Sequence, residues 1–208
     1  AAEKGYEGLM ASLKKPEPVT DGRKAAIIGG GPTGIAAAYF CGRAGIETTI
    51  FERESCLGGV PRHVIPAFRI ANEAIEKDIA LMERYGVEVR YVTEETQTAV
   101  GEASLTLYPP VGEGGENELG LTILCSAGEF DTLITGDMDS RTERVLVSSY
   151  PLPDIEVLLV GHHGSRYSTS EELLGAVMPE VGVVSVGSNS YGHPTRDALL
   201  RLTDEEDR

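Results

Sequence analysis

Gly29-Gly30-Gly31-Pro32-Thr33-Gly34 is a G-x-G-x-x-G turn. It follows a short apolar run, Ala25 to Ile28, and opens an alanine-rich stretch. A turn so placed, between a buried strand and a helix, binds pyrophosphate. Gly29 permits the tight turn, Gly31 lets backbone approach the phosphates, and Gly34 lets helix and strand pack closely. The helix start, with Pro32 and Thr33, then presents unpaired N–H groups and the positive end of the helix dipole. Glu52 stands 18 residues after Gly34, at the end of a second apolar run, with Arg53 beside it. A carboxylate there can accept hydrogen bonds from a ribose hydroxyl. The bland alternative is a glycine-rich turn without a ligand. The agreement of strand, glycines, helix, second strand and acidic end favours a dinucleotide.

A second set of residues could hold a metal. Thr135-Gly136-Asp137 and Gly161-His162-His163-Gly164-Ser165 each end an apolar run, and Tyr191-Gly192-His193-Pro194 follows a third. Carboxylate oxygen and imidazole nitrogen both suit zinc or manganese. From spacing alone the simpler reading is stronger: Asp137 caps the next segment and the histidines are polar loop residues.

These motifs need elements to hold them. Helical spacing or composition predicts helices at 2–14, 33–44, 71–85, 141–149, 169–178 and 195–202. In the third, Ala71, Ile75, Ile79 and Met82 share one face and Gly86 fits the C-cap. Thr169 and Glu172 are spaced as a capping box. Strands are expected at 25–28, 47–51, 87–91, 104–108, 121–125, 132–135, 155–160 and 181–186, with a loop at 54–70. The ends, Ala1 to Glu3 and Asp204 to Arg208, should fray.

Composition divides the chain in two. Residues 1–98 carry 12 basic and 14 acidic residues, whereas residues 99–208 carry 6 and 19. All five lysines lie in the first part. This break suggests two units of different origin, joined near 92–100. The net charge of −15 argues against a general nucleic-acid-binding surface. Three cysteines without a CxxC spacing argue against a disulfide framework and for a reducing, cytoplasmic setting. Cys41 reads as a core residue of the second helix. The longest uncharged run, Ala25 to Gly42, is broken by glycines and proline, so no membrane span is expected.

Ala1 to about Tyr91 resembles the FAD-binding start of glutamate-synthase-small-subunit-like oxidoreductases, including selenate reductase-type proteins and the related module of dihydropyrimidine dehydrogenase. The residues that carry the likeness are Ala25 to Gly34, Thr49-Ile50-Phe51-Glu52, Gly58-Gly59-Val60 and Ile65-Pro66-Ala67-Phe68-Arg69-Ile70. The resemblance implies that the glycine turn holds the FAD pyrophosphate and that Glu52 holds the adenosine ribose. It also implies that Gly58 and Gly59 run beside the flavin side, with Arg62 approaching it. The family's NAD(P)H-binding segment does not follow Tyr91, and its iron–sulfur cysteine clusters are missing, so hydride delivery and onward electron transfer lack their machinery.

From about Gly101 to Leu202 the chain resembles the C-terminal half of the metallo-β-lactamase-fold domain of ComEC-type DNA-uptake competence proteins. The matching residues are Leu105 to Pro110, Leu133 to Asp137, Val160 to Ser165 and Tyr191 to Pro194. The resemblance implies that Asp137 bridges two metals, that His163 or His162 is a ligand, and that His193 contacts substrate phosphate or lies behind the ligands. The HxHxDH motif of the fold's first half does not occur in the sequence.

The expected fold is therefore α/β. A partial Rossmann-like, FAD-binding β-α-β unit (1–96) precedes the C-terminal half of a metallo-β-lactamase-like αββα sandwich (97–208). The expected function is an FAD-binding, oxidoreductase-type module fused to an incomplete metallo-β-lactamase-like one, without full catalytic activity. The alternatives are a metal-dependent phosphodiesterase or nuclease fragment of the competence type, and a non-catalytic chimeric protein. Half a sandwich leaves one apolar sheet face uncovered, so self-association is expected.

Overall fold

Two sheets organise the chain, a three-stranded sheet before Thr93 and a six-stranded sheet after it. The computed structural model describes residues 5–19, 22–115 and 117–203. The expected fraying ends lie outside the described residues. The chain divides into two compact units, Ala1–Thr93 and Glu94–Arg208.

In the first unit β1 (Lys24–Ile28), β2 (Glu47–Glu52) and β3 (Glu88–Tyr91) are parallel, in that order. Parallel neighbours need crossovers. α2 (Pro32–Arg43) supplies the first, and α4 (Asn72–Glu83) the second. Of the helix expected at 2–14, residues 2–4 lie outside the described residues, and α1 spans Gly5–Ser12. A further short helix, α3 (Val60–His63), lies within the expected loop. Ile75, Ile79 and Met82 of α4 are buried with Ile35 and Ala38 of α2, Ile50 of β2 and Val87. Ala71, assigned to the same face, is instead the exposed N-cap of α4. Cys41 is half-buried rather than part of the core, because the inward positions of α2 are Ile35, Ala38 and Gly42. Gly42 is needed there: a Cβ on it would lie 2.9 Å from Tyr85 Cβ.

The second unit contains β4 (Thr96–Val100), β5 (Ala103–Tyr108), β6 (Thr122–Ala127), β7 (Phe130–Ile134), β8 (Val157–Leu159) and β9 (Val181–Val183), paired in chain order. Pairing is antiparallel from β4 to β7 and parallel from β7 to β9. α5 (Ser140–Ser149) and α6 (Glu171–Val177) supply the crossovers, and α7 (Arg196–Thr203) follows β9. The fold is thus α/β, with a parallel sheet and a mixed sheet. The two units divide between Thr93 and Glu94, inside the stretch 92–100, and β4 fills the end of that stretch. β4 is an edge strand of polar, alternating residues with no apolar run to mark it. The strands expected at 155–160 and 181–186 are each three residues long.

Leu124, Leu133 and Leu158 lie side by side on one sheet face. They are buried with Leu146 of α5 and with Leu173, Leu174 and Val177 of α6. Leu107, Ile123, Ile134, Leu159 and Val183 form the matching row on the other face. There Leu107 is buried, the next three are half-buried and Val183 is exposed.

The capping box predicted at Thr169 and Glu172 is not formed. Ser170 is the N-cap of α6 and accepts from the Leu173 N–H at 3.3 Å. Glu172 turns outward to Arg144 at 3.2 Å. A capping box forms instead at α5: Asp139 Oδ1 accepts from the Arg141 and Thr142 N–H groups, both at 3.0 Å, and the Asp139 N–H donates to Thr142 Oγ1 at 3.1 Å.

Candidate dinucleotide site and histidine loop

The glycine turn sits at the C-terminal end of β1, where α2 begins. Gly29 has φ +96°, a left-handed value that favours glycine, and its N–H donates to Phe51 O at 2.8 Å. A Cβ on Gly34 would lie 1.9 Å from Gly29 O, so the helix start is pressed onto the turn. Gly31 differs. Its φ is −72°, and a Cβ there would meet only Gly59 Cα, at 3.9 Å. The space in front of Gly31 is open. Gly31 is the N-cap of α2 without a side-chain cap, and Pro32 lacks an N–H. The N–H groups of Thr33 and Gly34 therefore have no helical acceptor, as in the first turn of any helix. They and the open face of Gly31 form a cradle that a pyrophosphate fits, and that a side chain at position 31 would fill.

The second strand closes the turn from beneath. Glu52 Oε2 accepts the Gly30 N–H at 2.5 Å, and Oε1 accepts the Glu54 N–H at 2.8 Å. The residue is only 5% exposed. Its carboxylate locks the glycine turn onto β2, and each oxygen keeps one lone pair for a further donor. Arg53 pairs with its neighbour Glu54 at 3.1 Å. Leu57 and Gly58 fold over the turn, with the Gly58 N–H donating to Gly30 O at 2.9 Å. Gly58 (φ +129°) and Gly59 (φ +54°) reverse the chain into α3. That brings Arg62 onto Gly58, where a Cβ would lie 3.0 Å from Arg62 Nε. Arg62 pairs with Glu76 of α4, yet its Nε is buried without a partner.

His162, His163 and His193 lie in the second unit, beyond the C-terminal ends of β8 and β9. Gly161–His163 is a single 3-10 turn, and the His162 N–H donates to Gly136 O at 3.0 Å. This bond sets the histidine turn beside Gly136-Asp137. The ring centroids of His162 and His193 are 5.7 Å apart, and those of His162 and His163 are 6.4 Å apart. His163 Nδ1 lies 2.7 Å from Ser185 O, and His193 Nδ1 is buried without a partner. Asn189 ties down the His193 loop: its Oδ1 accepts from the Tyr191 and His193 N–H groups, and its Nδ2 donates to Gly187 O and His193 O.

Three residues of this loop are left-handed without being glycine: His162 (φ 47°), His163 (φ 56°) and Thr169 (φ 56°). Each costs of order 1–3 kcal/mol and persists only where neighbours over-determine it. Glu143, a fully buried residue of α5, does this for Thr169. Its carboxylate accepts the Thr169 N–H at 2.6 Å and the Ser170 N–H at 2.7 Å. Thr169 Oγ1 in turn accepts the Gly161 N–H at 3.0 Å. Burial pushes the Glu143 carboxyl above its ordinary value, opposed by the Ser170 and Thr169 N–H groups and by Arg201. Arg201 holds the same loop through the carbonyls of Arg166, Ser168 and Thr169.

Residues 27–70 match the family described as NAD(P)-binding Rossmann-like domain. They form a Rossmann-like module built around the glycine turn, α2, β2 and α3. The chain is 43% identical over 91 residues to YgfK of Escherichia coli K12, an oxidoreductase by name, covering 44% of this chain and 9% of that protein. It is 34% identical over 88 residues to the glutamate synthase [NADPH] small chain of Mycobacterium tuberculosis, covering 42% and 18%. It is also 27% identical over 146 residues to ComE operon protein 3 of Bacillus subtilis, covering 69% and 19%. The two resemblances read from the sequence are thus both met among relatives. The chain spans less than a fifth of the length of each of these three.

Within the module the structure brings together Gly29, Gly31, Pro32, Thr33, Gly34, Gly58 and Gly59, with Glu52 turned beneath them. In the second unit it brings His162, His163 and His193 to one end of the sheet. It does not assemble them with Asp137 into a metal centre: among the described residues no group of three or more His, Cys, Asp or Glu could hold a metal ion. Also among the described residues, no helix is long and apolar enough to cross a membrane. Glu143 and Arg201 were missed because a charged residue on an amphipathic helix reads as solvent-facing. Asn189 carried a weak signal, as a side chain able to bond the backbone two residues on.

Proposed function

We propose that residues 1–96 bind FAD. The observation that carries this reading is the open face of Gly31 beside the uncapped start of α2. The N–H groups of Gly31, Thr33 and Gly34 hold the pyrophosphate, and Glu52, through its remaining lone pairs, holds the adenosine ribose. The unpartnered Arg62 Nε, against Gly58, faces the flavin side. The similarity to the glutamate synthase small chain supports a redox dinucleotide here. Bound FAD supplies a two-electron redox centre. The protein binds and orients it.

Those residues we read as the C-terminal half of a metallo-β-lactamase-like sandwich of the competence type. The relation to ComE operon protein 3 and the clustering of His162, His163 and His193 beside Gly136-Asp137 support this. Without the HxHxDH half, the unit contributes fold and not phosphodiester hydrolysis.

The test is visible absorbance after incubation with FAD and removal of free ligand, on the wild type and on Gly31→Ala. The backbone at Gly31 tolerates alanine and the Cβ meets no protein atom closer than 3.9 Å. The variant should keep the fold and lose FAD by at least about tenfold, about 1.4 kcal/mol of binding. A wild type that retains no flavin, or an alanine variant that retains it equally, would overturn the reading.

A further inference from the structure

The reversal at Gly58 and Gly59 has a second product. It folds α3 back towards Cys56, two residues before the reversal. His63 Nε2 then lies 4.0 Å from Cys56 Sγ. The Arg62 guanidinium, paired with Glu76, has its own pKa raised, first by Glu76 and then by the Cys56 thiol. The thiol is free and half-buried, His63 is exposed, and the Arg62 side chain is only 16% exposed. Glycine at 58 is a condition of this placement, since a Cβ there would lie 2.8 Å from Arg62 Cβ.

The three cysteines are all free and all half-buried, so exposure alone does not rank them. Among the described residues Cys56 is the one that faces both an imidazole and a guanidinium. The thiolate, not the thiol, is the nucleophile, and cationic neighbours favour it. A neighbouring base and a cation near the sulfur each activate a cysteine.

We infer that Cys56 is a site of covalent modification by soft carbon electrophiles of the activated-alkene class, with His63 as its base and Arg62 as the cation facing the thiolate. In the addition, the S–H proton passes to His63 Nε2 and the sulfur forms a bond to the β-carbon of the alkene. The π pair moves to the α-carbon, which takes the proton back from the imidazolium. Nothing leaves and no oxidant is consumed. The adduct then sits beside Leu57 and Gly58, the residues folded over the glycine turn. The inference does not depend on FAD binding.

N-ethylmaleimide at limiting concentration, with peptide mass spectrometry over time, tests this on the full chain. Cys56 should label at least about tenfold faster than Cys41 and Cys125. His63→Ala should slow Cys56 alone and leave the other two unchanged, with the same far-UV circular dichroism. Arg62→Met should also slow Cys56, and Cys56→Ser should abolish the fast phase. Cys41 and Cys125 are internal controls: a variant that merely loosened the fold would speed them, which a local base cannot do. Equal rates at all three thiols would overturn the inference. So would a His63→Ala variant whose Cys56 reacts as fast as the wild type.

Discussion

Replacing Glu143 by alanine should come close to unfolding the second unit. The side chain is fully buried in α5 and accepts two backbone N–H groups, those of Thr169 and Ser170, at 2.6 and 2.7 Å. Alanine leaves both donors buried without a partner, at about 1–3 kcal/mol each, or about 2–6 kcal/mol together. Thr169 also loses the contact that holds its left-handed backbone. A domain of this size has about 5–15 kcal/mol in total. With a urea dependence of about 1–3 kcal/mol per M, the midpoint of the second unit's transition should fall by on the order of 1–3 M. Urea titration followed by far-UV circular dichroism measures it. A fall of less than about 0.3 M, the behaviour of a surface substitution, would refute the reasoning. The charge itself makes a separate, opposite statement. Burial raises the Glu143 carboxyl above its ordinary 4.5. A raised acid contributes stability that is complete below that value and is lost as pH rises through the folded-state value. Wild type should therefore lose stability relative to Glu143→Gln as pH climbs above 4.5. A difference that grows in the other direction would show that the N–H donors, not burial, dominate this carboxylate.

Asp139→Ala removes the capping box of α5 and should cost about 1 kcal/mol by the same titration, with no cost meaning that water replaces the cap. Burial pushes Asp139 up, but the Thr142 N–H and the Arg141 guanidinium and N–H outweigh it and hold the carboxyl below its ordinary 3.8. Its contribution should be complete above 3.8 and disappear as pH falls further, so the wild type and the alanine variant should converge in acid. Zinc at about 100 μM should raise the stability of the second unit by less than about 0.5 kcal/mol, as a site weaker than that concentration requires. A larger rise in a thermal melt, lost in Asp137→Ala, would restore a metal centre to the histidine loop.

Local patterns in the chain were enough to determine the first unit's design. A strand, a glycine turn, a helix and an acidic strand end are contiguous in sequence, so their geometry follows from φ freedom, helix dipoles and short crossovers. The same is true of Ile75, Ile79 and Met82, whose spacing alone places them on one face. What pattern could not decide is where polar side chains turn. Glu52 was legible as an acid at a strand end, yet only the close approach of β1 and β2 points its carboxylate at the Gly30 N–H. Thr169 and Glu172 have the spacing of a cap, yet the buried Glu143, 26 residues away from Thr169, claims that N–H and moves the cap to Ser170. β4 carries no apolar run because an edge strand buries little. His63 and Cys56 are seven residues apart and share no periodicity that would join them. They meet because two left-handed glycines reverse the chain between them. Backbone preference is a local property and can be read from sequence; the satisfaction of a buried donor or charge is a property of whatever packs against it.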